Sequence, residues 1–480
     1  MNWKPTGPKG PWPGVSPLLL PLLALPLPAQ KRPSPGKSGL PLLIQVKKAH
    51  LGTGKVLSPA SILVGRGKIL AVGKHLVPPK GARRVDLGNL EAAPGLVDPW
   101  ALTFLAPSDR RRSHGPAEPT ARGLVRLRPS QARDLLLSGV TALCVTPPAG
   151  GGLGPSSAGV APTPSGPPRL LQPLAALAIR FSQAGPSDPL APLKVYQSLK
   201  KAFEKAKKYK EKRDRARREE RAYRKKWKAY LAALRKAHSK KKPASRKAPG
   251  RTSSRPSSKR ARRASSRPAP SRGKGKASRG GSPPARPKRP VPFKIDPVQE
   301  VLAAALDKKI PVRFEAHTAL EVKKALQLAW EFELRPVLVE PWEVDGSDLE
   351  RASRMGVTVL YGPLDRPDPG FGQPGFRPAL LQLWIRAGCP LALGTRGVLS
   401  PRFLRDQASL ARSMGLTPTQ ALQAVTLWAA RASGMEKWVG SLEKGKRADI
   451  LFFAGDPADP TLAPARVMVG GRFLAKEVRL

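Results

Sequence analysis

The chain of 480 residues is poor in the features that would narrow its class quickly. Its two cysteines, Cys144 and Cys389, are too few to decide the redox compartment, and both lie in apolar strand-like runs, so we expect buried free thiols. Beyond the N-terminus no apolar run is long enough to cross a membrane as a helix, which predicts a soluble mature chain.

Acidic residues are also scarce. The 33 Asp and Glu face 86 Lys and Arg, which gives a formal net charge of +53. Such an excess favours polyanions, acidic proteins or anionic membrane surfaces as partners, and it carries no information about the fold. Most of it is local, because Lys194–Pro290 holds 38 basic and 5 acidic residues.

The N-terminus resembles a targeting segment. Lys4 and Lys9 precede the apolar run Val15–Ala29, which is too short to span a bilayer and ends at a small residue. Residues 1–30 therefore predict a signal peptide and an exported, periplasmic or secreted protein. Four prolines in the run weaken a signal helix, and the alternative is a disordered Pro- and Leu-rich tail on a cytoplasmic chain.

The basic segment divides into two parts. Residues 194–238 place aromatic and aliphatic side chains three or four apart, which predicts a basic amphipathic helical insertion whose stripe packs on the rest of the protein. Residues 239–292 are rich in Lys, Arg, Ser and Pro and should be disordered. The segment either binds polyanions nonspecifically or is a solvated insertion. The candidate polyanion-binding residues are Lys225, Lys226, Arg260, Arg262 and Arg263.

Hydrophobic patterning outside this segment predicts an α/β fold. Short strand-like runs from Leu40 to Ala93 resemble a small antiparallel sheet, and similar runs return at the C-terminal end of the chain. Between them, apolar runs alternate with amphipathic stretches, which indicates parallel βα units in either a barrel or a doubly wound sheet.

Four motifs, in this order and spacing, carry a family resemblance. They are Ala93–Asp98 (APGLVD), Ser138–Leu143 (SGVTAL), Leu393–Thr395 (LGT) and, most specifically, Gly415–Pro457 with its GSL-x-x-GK-x-AD strand. The chain thereby resembles the amidohydrolase superfamily, of the imidazolonepropionase or dihydroorotase type. The resemblance implies a (β/α)8 TIM-like barrel (94–193 and 293–439) with a small β-sandwich from both chain ends (41–93 and 440–477).

The activity that the resemblance implies is metal-dependent hydrolysis of C–N bonds, often in cyclic amides, with zinc or another divalent ion activating water. Matched by position, however, the family's metal ligands and catalytic Asp are replaced by Trp100, Leu102, Pro341 and Arg396. No lysine occurs between Lys80 and Lys194, so the lysine that bridges two metals on the fourth strand of many members is absent as well.

The remnant candidates at the implied site are Asp98, Glu315, His317 and Glu340. They could form only a weak site for a hard cation, and Arg396 beside them would repel a divalent ion. We therefore expect no metal cofactor and no catalytic set. We expect instead an ion pair from Arg396 to Asp98, Glu315 or Glu340, with Glu315 as the first choice, and apolar packing by Trp100 and Leu102.

These expectations favour a pseudoenzyme, a non-catalytic partner, scaffold or binding protein that acts beside an active amidohydrolase relative. Two alternatives stay open. One is an active hydrolase with an altered or metal-independent mechanism, which needs one remnant group poised near neutral pH. The other is a polyanion-binding protein that works through the basic insertion. We expect a homo- or hetero-oligomer and no integral membrane contact after removal of the signal.

Overall fold

The computed structural model describes residues 40–102, 105, 128–181, 189–239, 285–365 and 376–474. The predicted signal peptide and most of the predicted disordered segment, with Arg260, Arg262 and Arg263, lie outside these residues. In the described part of the chain, no helix has both the length and the apolar character needed to cross a membrane.

Both ends of the described chain contribute to one eight-stranded sheet, in the order β16-β15-β14-β5-β1-β3-β4 with β2 paired to β1. Its strands are β1 (Leu42–His50), β2 (Val56–Leu57), β3 (Ala60–Gly65), β4 (Lys68–Gly73), β5 (Arg83–Pro94), β14 (Ile450–Phe453), β15 (Arg466–Val469) and β16 (Arg472–Phe473). The two ends meet where β5 and β14 pair antiparallel, with Ala93 opposite Leu451. The predicted antiparallel arrangement is wrong for one pair: β1 and β5 are parallel, because the chain crosses from β4, which runs in the direction of β1, to the edge of β1 opposite the β3–β4 hairpin.

The second sheet is a nearly closed eight-stranded barrel, in the order β13-β12-β11-β10-β9-β8-β7-β6. Its strands are β6 (Leu96–Ala101), β7 (Val140–Val145), β8 (Gly152–Ala161), β9 (Arg169–Arg180), β10 (Val312–Glu315), β11 (Pro336–Val339), β12 (Thr358–Tyr361) and β13 (Leu391–Leu393). Hydrogen bonds from Thr395, just after β13, to Asp98 in β6 join the two edge strands.

The barrel departs from the regular βα alternation at its third strand. β8 pairs antiparallel with both β7 and β9. The connections through residues 146–151 and 162–168 are too short for a helical crossover, and so the chain forms hairpins there. The strands from β9 to β13 are parallel, which brings their C-terminal ends to one mouth.

Helices cover the outside of the barrel and bury its outward-facing side chains. They are α1 (Pro129–Leu137), α2 (Ala191–Ser239), α3 (Pro297–Leu306), α4 (Ala319–Glu331), α5 (Gly346–Arg354), α6 (Ala379–Arg386), α7 (Leu404–Ser413), α8 (Pro418–Ala424) and α9 (Leu427–Ala432). Sequence signals set several of their starts: Asp296 caps α3, and Thr318 with Glu321 forms a capping box for α4.

Small and apolar side chains fill the barrel interior. Val97, Ala142, Val339 and Ala392 belong to one buried cluster with residues of α9. The two cysteines are free and buried, which confirms the prediction, and burial raises the pKa of the Cys389 thiol to about 11.

Helix α2 extends without interruption over 49 residues, or about 74 Å. Its first turns lie in the barrel's own core, because Tyr196, Leu199 and Phe203 are buried there. Arg213 is 3% exposed and forms ion pairs with Glu300 and Asp307 at 3.4 and 3.2 Å. The residues that follow are mainly exposed, so the part of 194–238 that stands apart from the barrel begins beyond Arg213.

Candidate functional site

Three charged residues meet at the mouth of the barrel because they end or follow parallel strands. Glu315 is the last residue of β10, Glu340 follows β11, and Arg396 lies three residues beyond the end of β13. The C-terminal ends of parallel barrel strands converge on one face, where the active sites of such barrels are built. The sequence-predicted residues Glu315, Glu340 and Arg396 are therefore brought together.

The Arg396 guanidinium lies between the two glutamates. It forms a close ion pair with Glu340, and its Nη2 is 3.5 Å from Glu315 Oε2. Burial alone would lower the pKa of Arg396, but the carboxylates of Glu340 and Glu315 raise it above its ordinary value. The predicted ion pair is confirmed, although its closer partner is Glu340, where Glu315 was the first choice.

The backbone at both members of this pair is left-handed. Glu340 has φ of 51° and Arg396 has φ of 48°. This region costs a side chain other than glycine about 1 kcal/mol or more, and such residues cluster at functional sites. Val339 lies in the interior cluster, so regular strand alternation would turn Glu340 outward. The left-handed turn is how its carboxylate reaches the mouth.

A second arginine, which sequence reasoning missed, balances Glu315. Arg180 ends β9, and its Nε is 3.3 Å from Glu315 Oε2. β9 is the fourth strand of the barrel, the strand on which the resemblance implied a bridging lysine. The Arg180 side chain is 41% exposed. In the sequence, Arg180 is marked only as a single cation at the end of the apolar run LAALAIR. Such a cation also occurs at the ends of ordinary strands, so it does not indicate a site residue.

A third arginine lies inside the barrel and was missed as well. Arg313, in β10, is fully buried and donates to Ala432 O (3.0 Å), Thr146 Oγ1 (2.8 Å) and Cys144 Sγ (3.0 Å). Buried charges persist only when they are hydrogen-bonded or paired, and these acceptors serve that purpose. The signal was a basic residue within the apolar stretch IPVRF.

Trp100 packs against two of these guanidinium groups. The ring is 3% exposed, with Arg396 Cζ 5.1 Å and Arg313 Cζ 5.3 Å from its centroid. Both distances fall within the range of cation–π attraction. Leu102 is partly buried and packs on the same interior cluster, so both residues supply the apolar packing that was predicted.

Asp98 takes no part in the Arg396 ion pairs. Its carboxylate is fully buried and accepts from Thr395 Oγ1 at 2.5 Å, Thr395 N at 3.3 Å and Trp100 N at 3.1 Å. Burial raises the pKa of Asp98 to about 6, although these hydrogen bonds and Arg313 act to lower it. Asp98 therefore links the two edge strands of the barrel, β6 and β13.

His317 is held by its neighbours at the rim. Its ring stacks on Trp342 with centroids 4.2 Å apart, and its Nδ1 is 2.8 Å from Glu340 O. The backbone carbonyl of Pro341 accepts from the Tyr361 hydroxyl at 2.5 Å. These contacts fix the backbone carbonyls of Glu340 and of the residue after it.

The donor set of the mouth differs from that of a metal centre. Trp100, Leu102 and Pro341 have no side-chain atom that binds a metal ion, and Arg396 is a permanent cation. Within residues that the structure describes, no group of three or more His, Cys, Asp or Glu side chains could hold a metal ion.

The candidate polyanion-binding residues within the described chain, Lys225 and Lys226, are exposed on the outer part of α2. The aromatic residues before and after them in the helix contact one another: Trp227 lies 6.0 Å from Tyr223 and 5.4 Å from Tyr230, ring centroid to centroid. All three rings are half-buried.

Comparison with known proteins supports the barrel architecture described above. The Amidohydrolase family model matches residues 375–474. The crystal structure of an amidohydrolase from Thermotoga maritima superimposes with a TM-score of 0.59 over 91% of this chain and 100% of that one, at 20% identity. At this identity, the superposition shows the fold alone.

Curated relatives match the chain over shorter segments. An imidazolonepropionase of Erwinia tasmaniensis is 36% identical over 101 residues, which are 19% of this chain and 23% of that protein. An imidazolonepropionase of Pseudomonas fluorescens is 49% identical over 76 residues, 16% and 18% of the two chains. A 5-methylthioadenosine/S-adenosylhomocysteine deaminase of Moorella thermoacetica is 40% identical over 91 residues, 17% and 21%. The matched segment is thus less than a quarter of each relative.

Proposed function

We propose that the barrel mouth is the functional site of this chain, which matches the Amidohydrolase family model over residues 375–474 and shares the fold of an amidohydrolase, and that this mouth works without a catalytic metal. We propose further that the protein is a non-catalytic partner, scaffold or binding protein. The family's reaction depends on a divalent ion that activates water, and without that ion C–N bond hydrolysis loses its nucleophile.

The observation that carries this proposal is the position of the Arg396 guanidinium between Glu315 and Glu340. A guanidinium does not deprotonate in proteins, and a divalent ion at the same carboxylates would be strongly repelled. Trp100, Leu102 and Pro341, which stand at three other ligand positions, supply no side-chain lone pairs to a metal ion. The donor set of the mouth therefore does not fit a divalent metal ion.

A second candidate, a hydrolase with a metal-independent mechanism, is favoured by one observation. The pKa of Asp98, about 6, is near the range suited to a general acid or base at neutral pH. Against this reading, Asp98 is fully buried, and both of its oxygens accept hydrogen bonds from the barrel itself. Under the first proposal, Asp98 has a structural role: it links the edge strands β6 and β13.

Metal analysis combined with an activity screen tests the proposal. We expect the dialysed protein to contain far less than one zinc, iron or manganese ion per chain, and its melting temperature to be unchanged by a chelator. About one tightly bound ion per chain, lost together with hydrolysis of cyclic amides in a Glu315→Gln variant, would contradict it. Metal-free hydrolysis that disappears in Asp98→Asn would instead support the second candidate.

The partners are proposed on the basis of charge. The exposed basic part of α2, with Lys225 and Lys226, favours nonspecific binding of polyanions, with an affinity that falls steeply with salt. If residues 1–30 direct export, acidic polymers of the cell envelope are the polyanions at hand. Association with an active amidohydrolase relative, or with a second copy, is the accompanying proposal and is tested by light scattering of the purified chain alone and with that relative.

A further inference from the structure

A groove lies along α2, beyond the part of the helix that is buried against the barrel. One wall is the helix from Arg213 to Arg224, the other is the extended segment Arg289–Ile295, and Glu300 of α3 also lines the groove. Its volume is about 440 Å³, within the range of sites that take a small ligand or a few residues of a peptide.

The lining of this groove is positive. Among the described residues, five arginines and two glutamates line it. The glutamates are already engaged: Glu220 with Arg224 at 2.8 Å, and Glu300 with Arg213 and Arg217 at 3.4 Å each. The groove therefore has a surplus of positive charge that its own acids do not neutralise.

Two arginines carry most of this surplus. Arg221 on the helix wall and Arg289 on the opposite wall are exposed, and neither forms an ion pair with a described residue. They face the groove from its two sides. Guanidinium groups bind carboxylates in a bidentate manner, and arginine clusters are a recurring means of binding acidic motifs.

The extended wall adds apolar surface. Val291 is 89% exposed and Ile295 is 69% exposed, both large aliphatic side chains that face the solvent without cover from described residues. The Phe293 ring between them packs on Tyr209, with centroids 5.2 Å apart. An occupant that matches the whole groove needs apolar groups as well as negative charge.

We propose that this groove binds an extended segment of a partner protein in which acidic and apolar side chains alternate. Residues four apart on a helix, such as Arg217 and Arg221, are about 6 Å apart along its axis. Alternate side chains of an extended peptide are about 7 Å apart on the same side. The helix wall is about 16 Å long, which accommodates about five residues of such a peptide.

The same observations disfavour a nucleic acid as the occupant. Binding of single strands combines a basic groove with aromatic rings on which bases stack. Here the exposed apolar groups are aliphatic, and Phe293 is occupied by Tyr209. The acidic peptide uses both the arginines and the aliphatic side chains, whereas a single strand would use only the former.

Binding of a labelled peptide to the full chain, followed by fluorescence anisotropy at physiological salt, tests this proposal. The probe alternates Glu and Leu, and a second peptide has Ser at each Leu. Reversing the charge of both unpaired arginines (Arg221→Glu with Arg289→Glu) should weaken binding of the Glu–Leu peptide at least about tenfold. A matched variant, Arg218→Glu with Lys228→Glu, makes the same change in net charge on the exposed helix outside the groove, and should weaken binding less than about twofold.

Ile295→Asp should abolish the preference for the Glu–Leu peptide over the Glu–Ser peptide, with helical circular dichroism unchanged. Equal losses in the groove variant and the matched variant would overturn the proposal, since net charge alone would then explain binding. Equal affinity of the two peptides would overturn it too. If single-stranded DNA of the same charge displaces the peptide and its own binding depends on Arg221 and Arg289, the groove is a nucleic-acid site and the proposal fails. None of these outcomes depends on the metal content of the barrel mouth.

Discussion

Replacing Arg396 by Asp, the residue that the family resemblance implies at this position, should destabilise the protein without creating an active site. The change removes the cation between Glu315 and Glu340 and adds a third carboxylate to the same mouth. Backbone strain should not add to the loss, because Asp and Asn tolerate the left-handed conformation that position 396 adopts better than most residues do.

The size of the loss follows from distance and burial. At 3.5 Å and an effective dielectric constant of about 20, the attraction between Arg396 and Glu315 is about 5 kcal/mol before the cost of desolvation. The Glu315 and Glu340 side chains are 6% and 4% exposed, so water cannot fully replace the lost cation. Arg180 continues to neutralise part of the charge of Glu315. Breaking a buried pair from one side costs about 3–5 kcal/mol, and we expect Arg396→Asp to lose that amount.

Equilibrium denaturation in urea measures this loss, provided that fluorescence and circular dichroism report the same midpoint, as a two-state analysis requires. Arg396→Asn is the matched control, with the same size and backbone preference but no charge. It should lose less than the Asp variant, and the difference between the two isolates like-charge repulsion. An Asp variant as stable as the parent protein would refute the energetic argument. An Asp variant that binds one zinc ion per chain and hydrolyses cyclic amides would refute the proposed loss of the metal site.

Three further changes test other parts of the structure. The pKa of Asp98 is about 6 in the folded chain and about 4 in an unfolded one, so the folded state holds the extra proton and stability falls as pH rises from about 4 to about 6. In Asp98→Asn this fall, about 3 kcal/mol at most, should be absent from melting curves taken between pH 4 and 8. Arg213→Met should cost about 1–3 kcal/mol, because it breaks the ion pairs that hold α2 on α3, whereas Arg215→Met, on the exposed face, should cost less than about 0.5 kcal/mol. Reversing Lys225 and Lys226 to Glu should lower the salt concentration at which the protein elutes from heparin, and unchanged elution would contradict a role for them.

The contacts that sequence could predict are those set by the ends of parallel strands. Glu315, Glu340 and Arg396 each follow an apolar run, and in a barrel such positions converge. The sequence could not indicate which glutamate is nearer to Arg396, because that depends on left-handed backbones at Glu340 and Arg396 that no local signal marks. Arg313 escaped notice because its acceptors, such as Thr146, are distant along the chain.

The antiparallel direction of β8 also could not be predicted from the sequence. Its residues, GLGPSSAGVA, are small and lack the alternation of apolar and polar residues that marks a half-buried strand. Its antiparallel direction follows from the short connections on both sides, and these can be recognised only when the strand is recognised.

If the mouth holds no metal site, as we propose, its charges also limit how one could form. A divalent ion would need the space that the Arg396 guanidinium fills between Glu315 and Glu340. Removing Arg396 alone opens that space but leaves two buried carboxylates beside Trp100 and Pro341, which donate no lone pairs from their side chains. Restoring a histidine at either of those positions while Arg396 remains puts a ligand beside a permanent cation, which repels the ion that the ligand should bind. Under this proposal, each single substitution would be unfavourable by itself, and a functional metal centre would require the arginine and at least one ligand position to change together.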